Sequence, residues 1–101
     1  MELELRDNTD ESRYELVDGD TLAGIVEYKL DEGTISLTHT EVDSSYKGEG
    51  LGSRIASGVL DGVRARGLAM LPVCPFIRRY VQRHPEYADL VPADRRAEFG
   101  L

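Results

Sequence analysis

The chain has one cysteine, Cys74, among 101 residues. A single thiol cannot close an internal disulfide or supply a cysteine-rich zinc site, and no metal is expected. There is no apolar run of the ~18–20 residues that a membrane-spanning helix needs. The opening Met1-Glu-Leu-Glu-Leu-Arg6 lacks the basic-then-apolar order of a secretory leader. No segment repeats, and none reads as a linker or a low-complexity tract. These absences lead us to expect one cytoplasmic domain over residues 1–101, without a membrane partner.

What is present is unevenly charged. Nineteen acidic residues face twelve basic ones, a net charge of −7. From Lys47 to Arg83, however, there are seven basic residues and two acids, Glu49 and Asp61. A basic island in an acidic chain favours a small anionic ligand there and argues against a general nucleic-acid surface. Acids placed on exposed strands and turns for solubility would leave the same asymmetry.

The first 42 residues alternate with period 2. Leu3 and Leu5 interleave with charged residues, a turn follows at 8–12, and a second strand at 14–17 ends on the hairpin signal Asp18-Gly19. The third strand, 22–30, is expected to put Leu22, Gly24, Val26 and Tyr28 on one face and Ala23 and Ile25 on the other. After a turn at 31–33, the fourth, 34–42, is expected to carry Ile35, Leu37, His39 and Glu41 on a single face.

The period then changes to about 3.6. Leu51, Ile55, Val59 and Val63 recur every fourth residue, Arg64 and Arg66 suit the negative end of a helix dipole, and Gly67 is a stop. An apolar strand at 68–73 contains Pro72, which cannot donate to a ladder, so the strand must leave its neighbour near that point. A second helix starts at Pro75, with Phe76, Tyr80, Val81 and His84 on one side, and ends before Pro85. One more helical turn at 86–91 precedes a polar end. The order predicts an α+β fold: an antiparallel meander of four strands, then helix, strand, helix. The fifth strand lies parallel to the fourth through a right-handed crossover.

Between meander and helix stands Lys47-Gly48-Glu49-Gly50-Leu51-Gly52-Ser53. Side chains are missing at every second position, successive N–H groups are bare, and the positive end of the helix dipole suits an anion, above all a pyrophosphate. The alternative is a tight turn without a ligand. A P-loop fails because no lysine follows Gly52. A dinucleotide fingerprint is weak, because Ser53 fills its third glycine slot and no acid ends a second strand about 20 residues on.

The loop resembles the Gln/Arg-x-x-Gly-x-Gly/Ala motif of acetyl-coenzyme A-binding GNAT acyltransferases, with lysine in the first slot. His39-Thr40-Glu41-Val42 before it, and Cys74-Pro75-Phe76 through Tyr80 to His84-Pro85-Glu86-Tyr87 after it, are similar to the minimal single-domain GNAT-like proteins. The likeness covers about residues 14–91. It implies splayed fourth and fifth strands with the pantetheine arm of acetyl-CoA in the gap. Backbone at Thr40 and Val42 would then bond the cofactor's amides, and residues 47–53 would hold its pyrophosphate. Lysine supplies a cation in the first slot but no guanidinium fork. Most GNATs have helices between the first two strands that build the acceptor site. Here only a short loop stands there, so the acceptor side should be open to an amine on a small molecule or a protein side chain.

Acyl transfer from a thioester needs a base for the amine, stabilisation of the oxyanion, and a proton or dipole for the leaving thiolate. Either His39 or Glu41 is a candidate base. Cys74 precedes a proline suited to the first helical position, so its thiol lies at a helix N-terminus, within reach of a pairing with His39. It is a covalent acyl carrier, a pocket wall or a buried core residue. Tyr80 matches the GNAT tyrosine near the departing sulfur, a general acid, or is core. The expected function is acetyl transfer to an amine, with a non-catalytic acyl-CoA-binding module as the alternative.

Overall fold

In the computed structural model, which describes residues 2–46 and 48–101, the chain runs through five strands and two α-helices. The strands are β1 (Leu3–Asn8), β2 (Arg13–Asp18), β3 (Thr21–Asp31), β4 (Thr34–Val42) and β5 (Ala69–Pro72). Helix α1 (Leu51–Ala65) joins β4 to β5, and α2 (Pro75–Arg83) follows. Short 3-10 segments occupy Ser44–Tyr46, Pro85–Leu90 and Ala93–Phe99. The sheet order is β1-β2-β3-β4-β5, antiparallel except for the parallel β4–β5 pair, as expected.

The two inner hairpins use different turn chemistry. Asp18 pairs with Thr21, and of the loop residues only Gly19 has positive φ (59°), which matches a II′ turn. Asp31 pairs with Thr34 across Glu32 (φ 47°) and Gly33 (φ 83°), and two positive angles match a I′ turn. Both twist as the flanking strands do, which keeps the meander in register.

Two β-bulges then overturn the simple period-2 reading. Leu16 pairs with Gly24 but Val17 with Leu22, so Ala23 is an extra residue in β3. Glu27 pairs with His39 but Tyr28 with Leu37, so Thr38 is an extra residue in β4. Each inserted residue reverses the side-chain alternation beyond it. Leu22 therefore parts company with Gly24, Val26 and Tyr28 and is 40% exposed, while Ala23 is buried. His39 and Glu41 do not continue the face of Ile35 and Leu37; Thr40 and Val42 take that face, opposite Val26 and Gly24.

Helix α1 covers that face. Leu51, Ile55, Ala56, Val59, Leu60 and Val63 are buried along its expected stripe. Gly58 lets Leu5 approach, since a Cβ there would stand 3.0 Å from the leucine methyl. Helix α2 buries Val81 of the expected stripe together with Ile77, which lies outside it, while Phe76, Tyr80 and His84 are only half-buried. The tail also departs from its expected polar end. Phe99 returns to the core, its carbonyl takes a hydrogen bond from Gln82 Nε2 (2.8 Å), and the Arg78 guanidinium lies over its ring.

Two tyrosines anchor polar atoms at the margin of this core. Burial first, and then the Asp7 carboxylate that its hydroxyl donates to at 2.7 Å, push Tyr28 up to about 12. Burial and the hydrogen bond to Asp61 (2.8 Å) push Tyr87 up to about 12 as well. The folded state thus favours the neutral phenols. Their contribution is complete below the ordinary tyrosine value near 10 and is lost as pH rises through about 12. Thermal melts between pH 9 and 12 test this (roughly the span of those two values): the wild type loses Tm steeply in that window, and the double variant Tyr28→Phe/Tyr87→Phe loses less.

Candidate active site

The parallel pairing of β4 with β5 runs from Thr34↔Ala69 to Leu37↔Pro72 and stops. Pro72 has no N–H to continue the ladder. One last contact, from the Cys74 N–H to the Leu37 carbonyl (2.8 Å), closes the paired part. Beyond it β4 continues through Val42, and among the described residues no strand pairs with that edge. The Asp43 N–H turns toward β3 and donates to the Ala23 carbonyl (2.8 Å). Strand groups alternate, so the backbone N–H and C=O of Thr40 and Val42 point the other way, into the gap. At the closed end of the gap, Thr40 Oγ1 and Cys74 Sγ lie 3.4 Å apart.

The open end leads to the glycine loop. Asp43 Oδ1 accepts from the Ser45 N–H (2.9 Å) and hydroxyl (2.6 Å), which folds the 3-10 turn that starts the loop. The Tyr46 hydroxyl donates to Asp18 Oδ2 (2.8 Å) and ties the loop to the β2–β3 hairpin. Lys47, the expected cation, lies outside the described residues. Gly48 (φ 85°) and Gly50 (φ 72°) adopt left-handed backbone, with nothing within 4 Å of where a Cβ would stand.

Gly50 is the N-cap of α1 and has no side chain to offer. Among the described residues, the first-turn N–H groups of Leu51, Gly52 and Ser53 have no hydrogen-bond partner. No acid occupies that turn, where a carboxylate normally complements the dipole. Such a surface fits an anionic diphosphate. Two expected contributions are revised. The Glu49 N–H is spent on the Tyr46 carbonyl (3.2 Å). The bareness of Gly52 serves the neighbouring helix, because a Cβ there would stand 2.9 Å from Phe76 Cζ.

Phe76 opens a groove of about 380 Å³ between the start of α1 and α2, lined also by Ser53, Arg79, Tyr80, Arg83 and His84. Tyr80 stacks on His84 with centroids 3.9 Å apart. His84 Nδ1 lies 2.8 Å from the Tyr80 carbonyl, and since a carbonyl only accepts, Nδ1 carries the proton. Cys74 caps α2 and is buried.

His39 and Glu41 are elsewhere. They lie on the sheet face opposite α1, half or more exposed, with Nε2 and Oε1 3.3 Å apart. Their spacing of two sets them side by side, and the bulge at Thr38 separates both from the face that carries Thr40. The expected pairing of His39 with Cys74 is replaced by Thr40. On the same open face lies a cavity that sequence reasoning missed, and the bulge at Ala23 that shapes it leaves no compositional trace. The groove arginines had one legible sign, two cations spaced i, i+4 on a helix without an acid.

Residues 13–90 match the model of the GCN5-related N-acetyl-transferase family. The chain belongs to that family. Similarity to Protein NATD1 is 35% identity over 51 residues in both Gallus gallus and Homo sapiens, which is 50% of this chain. The chain spans about half the length of these relatives, 46% and 45% respectively. An NMR structure of a GCN5-like protein from Staphylococcus aureus superposes with a TM-score of 0.67 at 22% identity, covering 89% of this chain and 88% of the other. That likeness supports the family's fold, including the parallel β4–β5 pair.

The Gly52–Phe76 contact gives a test of how tightly the site is built. Gly52→Ala forces a backbone-borne methyl against the ring and is expected to cost about 1–3 kcal/mol. Gly52→Ala/Phe76→Leu should recover most of it, as read by denaturant midpoints.

Proposed function

We propose that this protein is an acetyl-CoA-dependent acetyltransferase that acts on an amine, and that the coenzyme lies from the glycine loop into the gap between β4 and β5. The observation that carries this reading is the continuity of that gap with the N-terminus of α1. Among the described residues, a row of unpaired strand backbone leads to three unpartnered first-turn donors.

The residues fit the coenzyme in chemistry and in space. Leu51, Gly52 and Ser53 offer N–H groups to the pyrophosphate, and Gly48 and Gly50 leave room for it against bare backbone. Thr40 and Val42 offer backbone groups to the pantetheine amides. Acetyl-CoA, when bound, supplies a thioester carbonyl for the amine nitrogen to attack, with the coenzyme thiolate as leaving group.

The remaining roles fall to this chain's own side chains. The His39–Glu41 pair takes the amine's proton, on the open face where an acceptor arrives from solvent. The Tyr80 hydroxyl returns a proton to the departing sulfur. Cys74 with Thr40 forms the closed wall of the gap rather than the acyl carrier: the thiol is buried, and its side-chain hydrogen-bond partner among the described residues is the Thr40 hydroxyl. Direct attack by the amine needs no cysteine.

Titration with coenzyme A tests the binding step. Amide resonances of residues 50–53, and of Thr40 and Val42, should shift; if they stay in place, the assignment fails. For the chemistry, thiol release from acetyl-CoA with a panel of amines is measured across pH. His39→Ala and Glu41→Gln should each lower kcat by about 10²–10⁴-fold and flatten the acid limb of the profile, with coenzyme binding unchanged. Intact-mass analysis after incubation with acetyl-CoA should show no acetyl adduct that Cys74→Ala removes.

A further inference from the structure

We infer that the cavity on the open sheet face is the acceptor subsite and that it takes an aliphatic ammonium on an apolar stem and rejects amines that carry a neighbouring carboxylate. This rests on the acetyl-transfer reading for its chemistry, but the cavity itself is read independently. It has a volume of about 430 Å³, and its lining includes Leu22, Ala23 and Ile25 of β3, flanked by Arg13 of β2 on one side and by Glu41 and Asp43 at the end of β4 on the other. The rest of this face is ionic: Arg6 pairs with Glu4, Arg13 with Glu15 and His39 with Glu41. An exposed leucine beside a nearly buried isoleucine is out of place there. Leu22 reaches this face only because of the bulge at Ala23, so the apolar wall is a product of the backbone irregularity.

The polar side of the cavity has a definite sign. Arg13 Nε is taken by the Glu15 carboxylate at 2.8 Å, which offsets its charge. Asp43 uses Oδ1 for Ser45, and those hydrogen bonds, from the hydroxyl first and then the N–H, hold its carboxyl below the usual range and therefore ionised. Its Oδ2, and Oε2 of Glu41, have no protein partner among the described residues. Two free carboxylate oxygens beside an aliphatic wall match a cation with a hydrocarbon tail. Glu41 belongs both to this cavity and to the pair that removes the proton, so an ammonium held here loses its proton where it is bound. A carboxylate on the same carbon would face Glu41 and Asp43 directly.

The probes are pentylamine and norleucine, which share the ammonium and the aliphatic stem and differ by one carboxylate. Titration of the whole chain with pentylamine, followed by NMR, should shift the amides of residues 22–25 and 41–43. Norleucine should bind at least about fivefold more weakly. Asp43→Asn keeps the turn, since asparagine accepts the same hydrogen bonds, and should weaken pentylamine about three- to fivefold. Leu22→Gln, at a solvent-exposed position, should weaken it comparably. Neither variant should alter the coenzyme-induced shifts at residues 50–53. Equal affinity for the two probes, or pentylamine that leaves residues 22–25 and 41–43 unmoved while coenzyme A still shifts the loop, overturns the cavity assignment and leaves acetyl transfer standing. Pentylamine binding here without thiol release from acetyl-CoA does the reverse.

Discussion

The structure depends on one broken hydrogen-bond ladder. β4 and β5 lie parallel for four residue pairs and then separate at Pro72, a residue that has no proton to give. In a closed sheet the exposed groups of Thr40 and Val42 would be satisfied by a neighbour. Here they stay available along the length of a gap, and the fold tolerates this because water or a ligand can take the neighbour's place. The Cys74 N–H to Leu37 carbonyl bond fixes where the opening begins, and the start of α1 fixes where it leads. Everything assigned to the coenzyme follows from those two endpoints.

The bulge at Thr38 supplies a second constraint, and it divides labour between the faces. Up to Leu37 the strand feeds the core. After the inserted residue, Thr40 and Val42 line the interior side, while His39 and Glu41 are turned outward. One strand can thus present backbone to a cofactor along its edge and ionisable side chains to an acceptor on its far face. An uninterrupted strand would have pointed His39 and Glu41 into the apolar core, where an unpaired carboxylate is costly.

Most of the element order was legible in the sequence because its signals are local. The fourfold recurrence from Leu51 to Val63, the Gly19 and Gly33 turns and the single Pro72 each act within a few residues of where they stand. The glycine loop was legible for the same reason. The faces beyond each bulge were not, since an extra residue such as Ala23 or Thr38 looks like any other until its cross-strand partner is known. The second duty of Gly52 was hidden because Phe76 meets it only when two helices pack. The contact of Cys74 with Thr40 comes from tertiary packing rather than from spacing.

The carboxylate of Asp18 joins three parts of the chain that are far apart in order. Oδ1 accepts the Glu2 N–H (3.0 Å) at the start of the sheet, and Oδ2 accepts the Tyr46 hydroxyl at the mouth of the loop. These bonds, Tyr46 first, hold its acidity below the usual aspartate range. Protonation in strong acid releases both tethers together, so the loop's grip and the N-terminal edge loosen as one event. A residue that touches no ligand in our reading thereby acts as the hinge pin of the ligand loop, and acid is the tool that withdraws it.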